Sequence, residues 1–95
     1  MSGIRPLNLC LTAHAERDLL DIPHELRQRI KADLLALAKG YIPFAQLKKL
    51  KGFAPPVWQL TSGRFRVLYR REPEVLLILR VVPKPAQQHA LRSLR

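Results

Sequence analysis

The sequence predicts an α+β fold: a single small domain of order β-α-α-β-β-β, with an antiparallel C-terminal sheet packed on two helices and a short helix after it. Three observations carry this. The 95 residues, 47% of them hydrophobic and 25% charged, suffice for one core and not for two. Leu26, Ile30, Leu34 and Leu37 recur at helical spacing on one face of a single segment. Later stretches alternate apolar and polar side chains, the period of strands with one buried face.

Leu7, Leu9 and Leu11 alternate with Asn8, Cys10 and Thr12, which predicts a first strand. Thr12 then suits the N-cap of a short helix from Ala13 to about Leu20, and Asp21 with Pro23 marks a break and a new helix start. The second helix carries the leucine and isoleucine face and closes at Gly40 after Lys39. From Tyr41 to Pro56 periodicity is lost. With Pro43, Pro55 and Pro56 framing Lys48, Lys49 and Lys51, this segment is expected to be a mobile, basic loop or a turn of helix. Trp58 to Thr61 and Phe65 to Arg71 form strands joined by a turn at Ser62 and Gly63, and Glu72 with Pro73 turns the chain into Val75 to Val82. Pro83 and Pro85 end the sheet, and Ala86 to Leu94 suits a short helix.

Composition excludes several classes. One cysteine, Cys10, cannot make an intrachain disulfide, and the widely spaced histidines offer no zinc ligand set, so neither metal nor cofactor is expected. The longest apolar stretches fall far short of the ~20 residues a membrane span needs, and the start of the chain lacks a secretory pattern. A cytoplasmic protein with no membrane partner is expected. Charge points elsewhere. Lysine and arginine number 17 against 7 acids, a net +10. Residues 1–33 balance, whereas residues 34–95 hold twelve basic and two acidic side chains, with no acid between Asp33 and Glu72. Segregated charge of this kind suits a polyanion or an acidic protein partner.

Alternation assigns faces. Phe65, Val67 and Tyr69 point towards the helices, while Arg64, Arg66, Leu68 and Arg70 point to the second face of the sheet, where a ligand would sit. Arg80 has apolar neighbours on both sides, and a charge there must be paired, solvated or used on an anion. Trp58 and Tyr69 have flat faces on which a base can stack, but both occupy positions that build the core.

The run Ala15-Glu16-Arg17-Asp18-Leu19-Leu20, then Pro23-His24-Glu25-Leu26-Arg27, Lys49-Leu50-Lys51-Gly52, Trp58-Gln59-Leu60 and Gly63-Arg64-Phe65-Arg66-Val67-Leu68-Tyr69, resembles the RelE/ParE superfamily of bacterial toxin-antitoxin systems. The short connection between the helices is more like the RelE branch. The resemblance implies a toxin held inactive by a cognate antitoxin, entering the ribosomal A site and cutting messenger RNA by driving the ribose 2′-hydroxyl onto the adjacent phosphate. Such a reaction needs a base for the 2′ proton, cations for the phosphoryl charge and an acid or cation for the leaving oxygen. Carried over, the motif arginine falls on Arg66 and the basic residue after the last strand on Lys84. His89 is the nearest counterpart of a C-terminal tyrosine or histidine, and Arg80 joins these as a fourth candidate. The second-strand basic positions fall on Gln59 and Thr61, neither of which is a base near neutral pH. Lys48, Lys49, Lys51, Arg64 and Arg70 are expected to contact RNA phosphates, which supplies affinity without sequence information. Individually, each of them also fits a plain solvated charge, and Arg70 an edge-strand charge against aggregation. The missing base leaves two alternatives open: a ParE-like inhibitor of DNA gyrase, or an RNA-binding protein on this fold that has lost catalysis.

Overall fold

A computed structural model describes residues 7–42 and 46–94. Five strands form one sheet in the order β1-β5-β4-β3-β2: β1 (Asn8–Leu11), β2 (Leu47–Leu50), β3 (Val57–Ser62), β4 (Phe65–Glu72) and β5 (Val75–Pro83). Helices α1 (Ala13–Leu20) and α2 (His24–Ala38) pack on one face, and a 3-10 turn (Lys84–Ala86) leads into α3 (Gln87–Arg92) on the other. The α+β class agrees with expectation, and the expected elements follow in the expected order with one strand, β2, added among them.

β1 pairs with β5 in parallel, Leu11 opposite Ile78, and the other neighbours are antiparallel. Thr12 caps α1 as its sequence suggests, accepting from the Ala15 N–H at 3.0 Å. The same hydroxyl donates to the Leu79 carbonyl at 3.0 Å, which ties the start of α1 to the edge of β5 where β1 has ended. α2 ends on Lys39 and Gly40, whose φ of 81° lets its N–H reach the Leu37 carbonyl while the Tyr41 N–H reaches Ala36. This reversal closes orphan carbonyls that a Cβ at Gly40 would strain.

The segment from Tyr41 to Pro56 departs from expectation, and of it Pro43 lies outside the described residues. Leu47–Leu50 is a strand, not a loop, pairing along the edge of β3 with Lys48 opposite Gln59 and Leu50 opposite Val57. Leu-Lys-Lys-Leu is too short to display a period of two. What holds it extended is the β3 ladder, which no local pattern records. Its exposed lysines also blunt an edge that would otherwise recruit further strands.

Both faces of the sheet are apolar in part. Ile30 and Leu34 of α2, with Ala15 and Leu19 of α1, bury Leu60, Val67, Tyr69 and Ile78 on the helix face. On the second face Ala90 and Leu91 of α3 close over Val57, Leu68, Leu79 and Val82. Leu68 is on the second face as expected but fully buried, so α3 covers part of the face where a ligand is expected. A register shift between Leu68 and Tyr69 leaves Leu79 as the extra residue on β5. One polar clamp fixes α2 to the sheet: the buried Ser62 hydroxyl donates to the Asp33 carboxylate at 2.6 Å.

Candidate nucleic-acid interface

The open part of the second face is built by cross-strand register. Lys48, Gln59 and Leu68 form one row across β2, β3 and β4, and Thr61, Arg66 and Val82 form the next across β3, β4 and β5. Paired residues share a face, so Arg66 lies diagonally beside Gln59 and two strands from Lys48. Arg66 is half-buried. Its Nη1 donates to the Gly63 and Phe65 carbonyls, both at 3.0 Å. These bonds use both hydrogens of Nη1 and leave Nη2 and Nε for another acceptor, so the turn holds the guanidinium in a fixed attitude without neutralising it.

Lys84 follows Pro83, which is opposite Phe65, and its N–H bonds the Arg64 carbonyl at 3.0 Å. It is therefore brought to the same end of the sheet as Arg66. Gln59, at the position where a base is expected, accepts a hydrogen bond from the Gln87 amide of α3. Sequence reasoning did not find Gln87, and nothing local in the chain marks it. No carboxylate or imidazole is in register with Gln59 or Arg66; the neighbours are Lys48, Thr61, Leu68 and Val82. The arrangement can hold an anion and orient it.

Lys48, Lys49 and Lys51 line a groove of about 410 Å³ between β2 and α3, with Leu50, Phe53, Gln88 and Leu91. The other candidates are dispersed. Arg80 is not gathered with Arg66: its Nε donates to Asp18 at 2.7 Å in an ion pair whose side chains are 14% exposed, and the same carboxylate accepts from the Val81 N–H at 2.9 Å. Of the three fates the sequence left open to this charge, pairing, solvation or use on an anion, the structure shows pairing, with a carboxylate of α1. His89 is exposed on α3, whose buried residues are Ala90 and Leu91. Arg70 is half-buried opposite Leu77, with its Nε unbonded. Arg64 leaves the second face, because it belongs to the turn and strand alternation stops at Phe65; its guanidinium carbon lies 5.7 Å from the centre of the Phe65 ring. Tyr69 is core, fully buried, and burial pushes its phenol up to about 12 against the opposing charge of Arg71. Among the described residues no group of acids, histidines or cysteines could hold a metal ion, and no helix is long and apolar enough to cross a membrane.

No family model matches this chain, and no curated protein matches it in sequence. Solved structures do match its fold. The archaeal RelE-RelB complex from Pyrococcus horikoshii is similar with a TM-score of 0.71 at 19% identity, over 84% of this chain and 97% of that one. The RelBE2 toxin-antitoxin complex of Mycobacterium tuberculosis also has a TM-score of 0.71, at 24% identity, over 84% of this chain and all of its own matched chain. A mutant of the Escherichia coli toxin RelE in the free state matches over 96% of this chain and 100% of its own, with a TM-score of 0.70 and 18% identity. The chain has the RelE-like fold.

Proposed function

We propose that this chain is the toxin of a toxin-antitoxin pair and cuts messenger RNA in the ribosomal A site, with Arg66 holding the scissile phosphate. The observation that carries the reading is Arg66 itself: a guanidinium fixed by the Gly63 and Phe65 carbonyls, with Nη2 and Nε unspent, on the open part of a RelE-like sheet. Charge that builds on the phosphoryl oxygens as the 2′-hydroxyl attacks is greatest in the transition state, which is where a pre-oriented bidentate donor contributes most. Lys84, at the same end of the sheet, is the cation for the departing 5′ oxygen. Lys48, Lys49 and Lys51 extend the electrostatic attraction to neighbouring phosphates. The partner that silences the chain is an antitoxin with acidic character, matched to the net charge of +10.

The Gln59–Gln87 amide pair favours a second reading, RNA binding without cleavage, because it occupies the base position with groups that take up no proton near neutral pH. One experiment separates the two. The chain is expressed from a titratable promoter, growth is followed, and cuts in translated messages are mapped by primer extension. Growth arrest with cuts in ribosome-bound messages is expected. Arrest without cuts supports the second reading, and arrest with lost supercoiling in a gyrase assay replaces both. Normal growth with folded protein present overturns the toxin reading.

A further inference from the structure

A second groove lies on the opposite side of the β3–β4 turn from Arg66. It encloses about 240 Å³ between α2 and the turn and is lined by Leu26, Arg29, Ile30, Ser62, Gly63, Arg64 and Phe65. Two guanidinium groups reach it from different elements. The Arg29 guanidinium carbon would lie 3.9 Å from a Cβ built on Gly63, so this side chain rests against the turn, and Arg64 lies over the Phe65 ring. Gly63 has a φ of 57°, the left-handed conformation that a two-residue turn demands at its first position and that keeps side-chain bulk out of the groove. Among the described residues neither arginine is in an ion pair. Among the described residues the ion pair is Arg80 with Asp18, and Asp33, one helical turn beyond Arg29, accepts from the buried Ser62 hydroxyl.

We propose that Arg29 and Arg64 form a phosphate-binding subsite for single-stranded RNA, one that takes a backbone phosphate on the α2 side of the turn whose other side Arg66 occupies. The inference rests on the reading of the second face as an RNA surface, and it extends that surface around the end of the hairpin. The two cations stand over an apolar floor of Leu26, Ile30 and Phe65, which lowers the local dielectric and strengthens their hold on an anion. Arg29 falls in the third of the sequence whose charges cancel, so composition conceals it. Only the fold sets it beside Arg64.

The test uses 2′-O-methyl oligouridylate, which binds but cannot be cut, so cleavage plays no part in the result. Affinity is measured over a range of salt for the full chain and for Arg29→Gln, Arg66→Ala and Lys31→Gln; Lys31 is an exposed cation on the same helix that does not line the groove. Arg29→Gln is expected to weaken binding roughly tenfold at low salt. It should also flatten the slope of log affinity against log salt by about 0.7, one phosphate contact on a single strand. Lys31→Gln should leave the slope unchanged. Equal losses for Arg29→Gln and Lys31→Gln would mean diffuse attraction and overturn the subsite. An effect of Arg66→Ala without one of Arg29→Gln overturns the subsite and spares the second face, whereas no binding by the unaltered chain overturns both. Displacement by poly-glutamate as effective as by RNA, charge for charge, identifies an acidic-protein surface instead and also overturns it.

Discussion

At the scale of single residues, Arg66 is held by two carbonyls with Nη2 and Nε left over, whereas Arg80 is paired with Asp18. Arg66→Ala should lower the rate of message cleavage by ~10²- to 10³-fold, the usual loss for one donor to developing charge. It also removes the bonds to Gly63 and Phe65, so a stability loss of about 1 kcal/mol is expected beside it. Arg66→Lys should recover activity only in part, since the ammonium lacks the planar fork. Cleavage assays paired with melting curves check this. Asp18→Asn acts in the opposite sense. It strands the Arg80 charge at a site where both side chains are 14% exposed, and should cost about 2 kcal/mol in urea unfolding, below the full penalty of a wholly buried pair. Tyr69 adds a pH effect. Its folded pKa, about 12, lies above the ordinary value of 10.0, so the folded state disfavours the phenolate. Stability from this group is complete below pH 10 and is lost as pH rises towards 12. Its hydroxyl is buried without a partner, so Tyr69→Phe should fold normally and shift alkaline unfolding to higher pH.

At the scale of elements, α3 is held by what it covers. Six residues are too few for a helix to persist in water, and Gln87–Arg92 owes its structure to Ala90 and Leu91 on the second core. Leu91→Ser should therefore release α3 from Val57, Leu68, Leu79 and Val82 while the sheet and α2 stay intact. Hydrogen exchange is the measurement: protection over Gln87–Arg92 should fall and that of β4 persist. Undiminished protection would mean that the Gln87–Gln59 bond holds the helix unaided. β2 depends on its neighbour in the same way, since its pairing with β3 is what makes a strand of Leu47–Leu50. Elements with strong local patterns, α2 and β4 above all, were legible in the sequence, and α3 was expected from Pro83 and Pro85 ahead of it; β2 was not, because so short a segment draws its conformation from contacts distant in the chain.

For the whole molecule, the charge of +10 makes salt act with opposite signs on folding and on binding. Repulsion among the cations opposes compaction, so added salt should raise the melting temperature. The same salt should weaken RNA binding steeply, because the counterions released at each phosphate contact gain less entropy on entering a more concentrated bulk. Melting curves and binding isotherms over one salt series check both. A melting temperature that falls with salt would mean that the cations are paired in solution.

The sequence by itself determined the fold class, the order of every element but β2, and the faces of β4. Each of these follows from local period or from turn and cap residues: Leu26, Ile30, Leu34 and Leu37 along α2, Thr12 and Gly40 at helix ends, Gly63 at the hairpin. It also placed Arg66 on the second face and left Arg80 to be paired, solvated or used on an anion. The tertiary structure alone decided that this partner is Asp18, that Gln87 engages Gln59, that α3 covers part of the second face, and that Arg29 stands beside Arg64. The reason is physical. Alternation and helical period report which way a side chain points within its own element, whereas the group it meets is set by sheet register and by how helices lie across the strands.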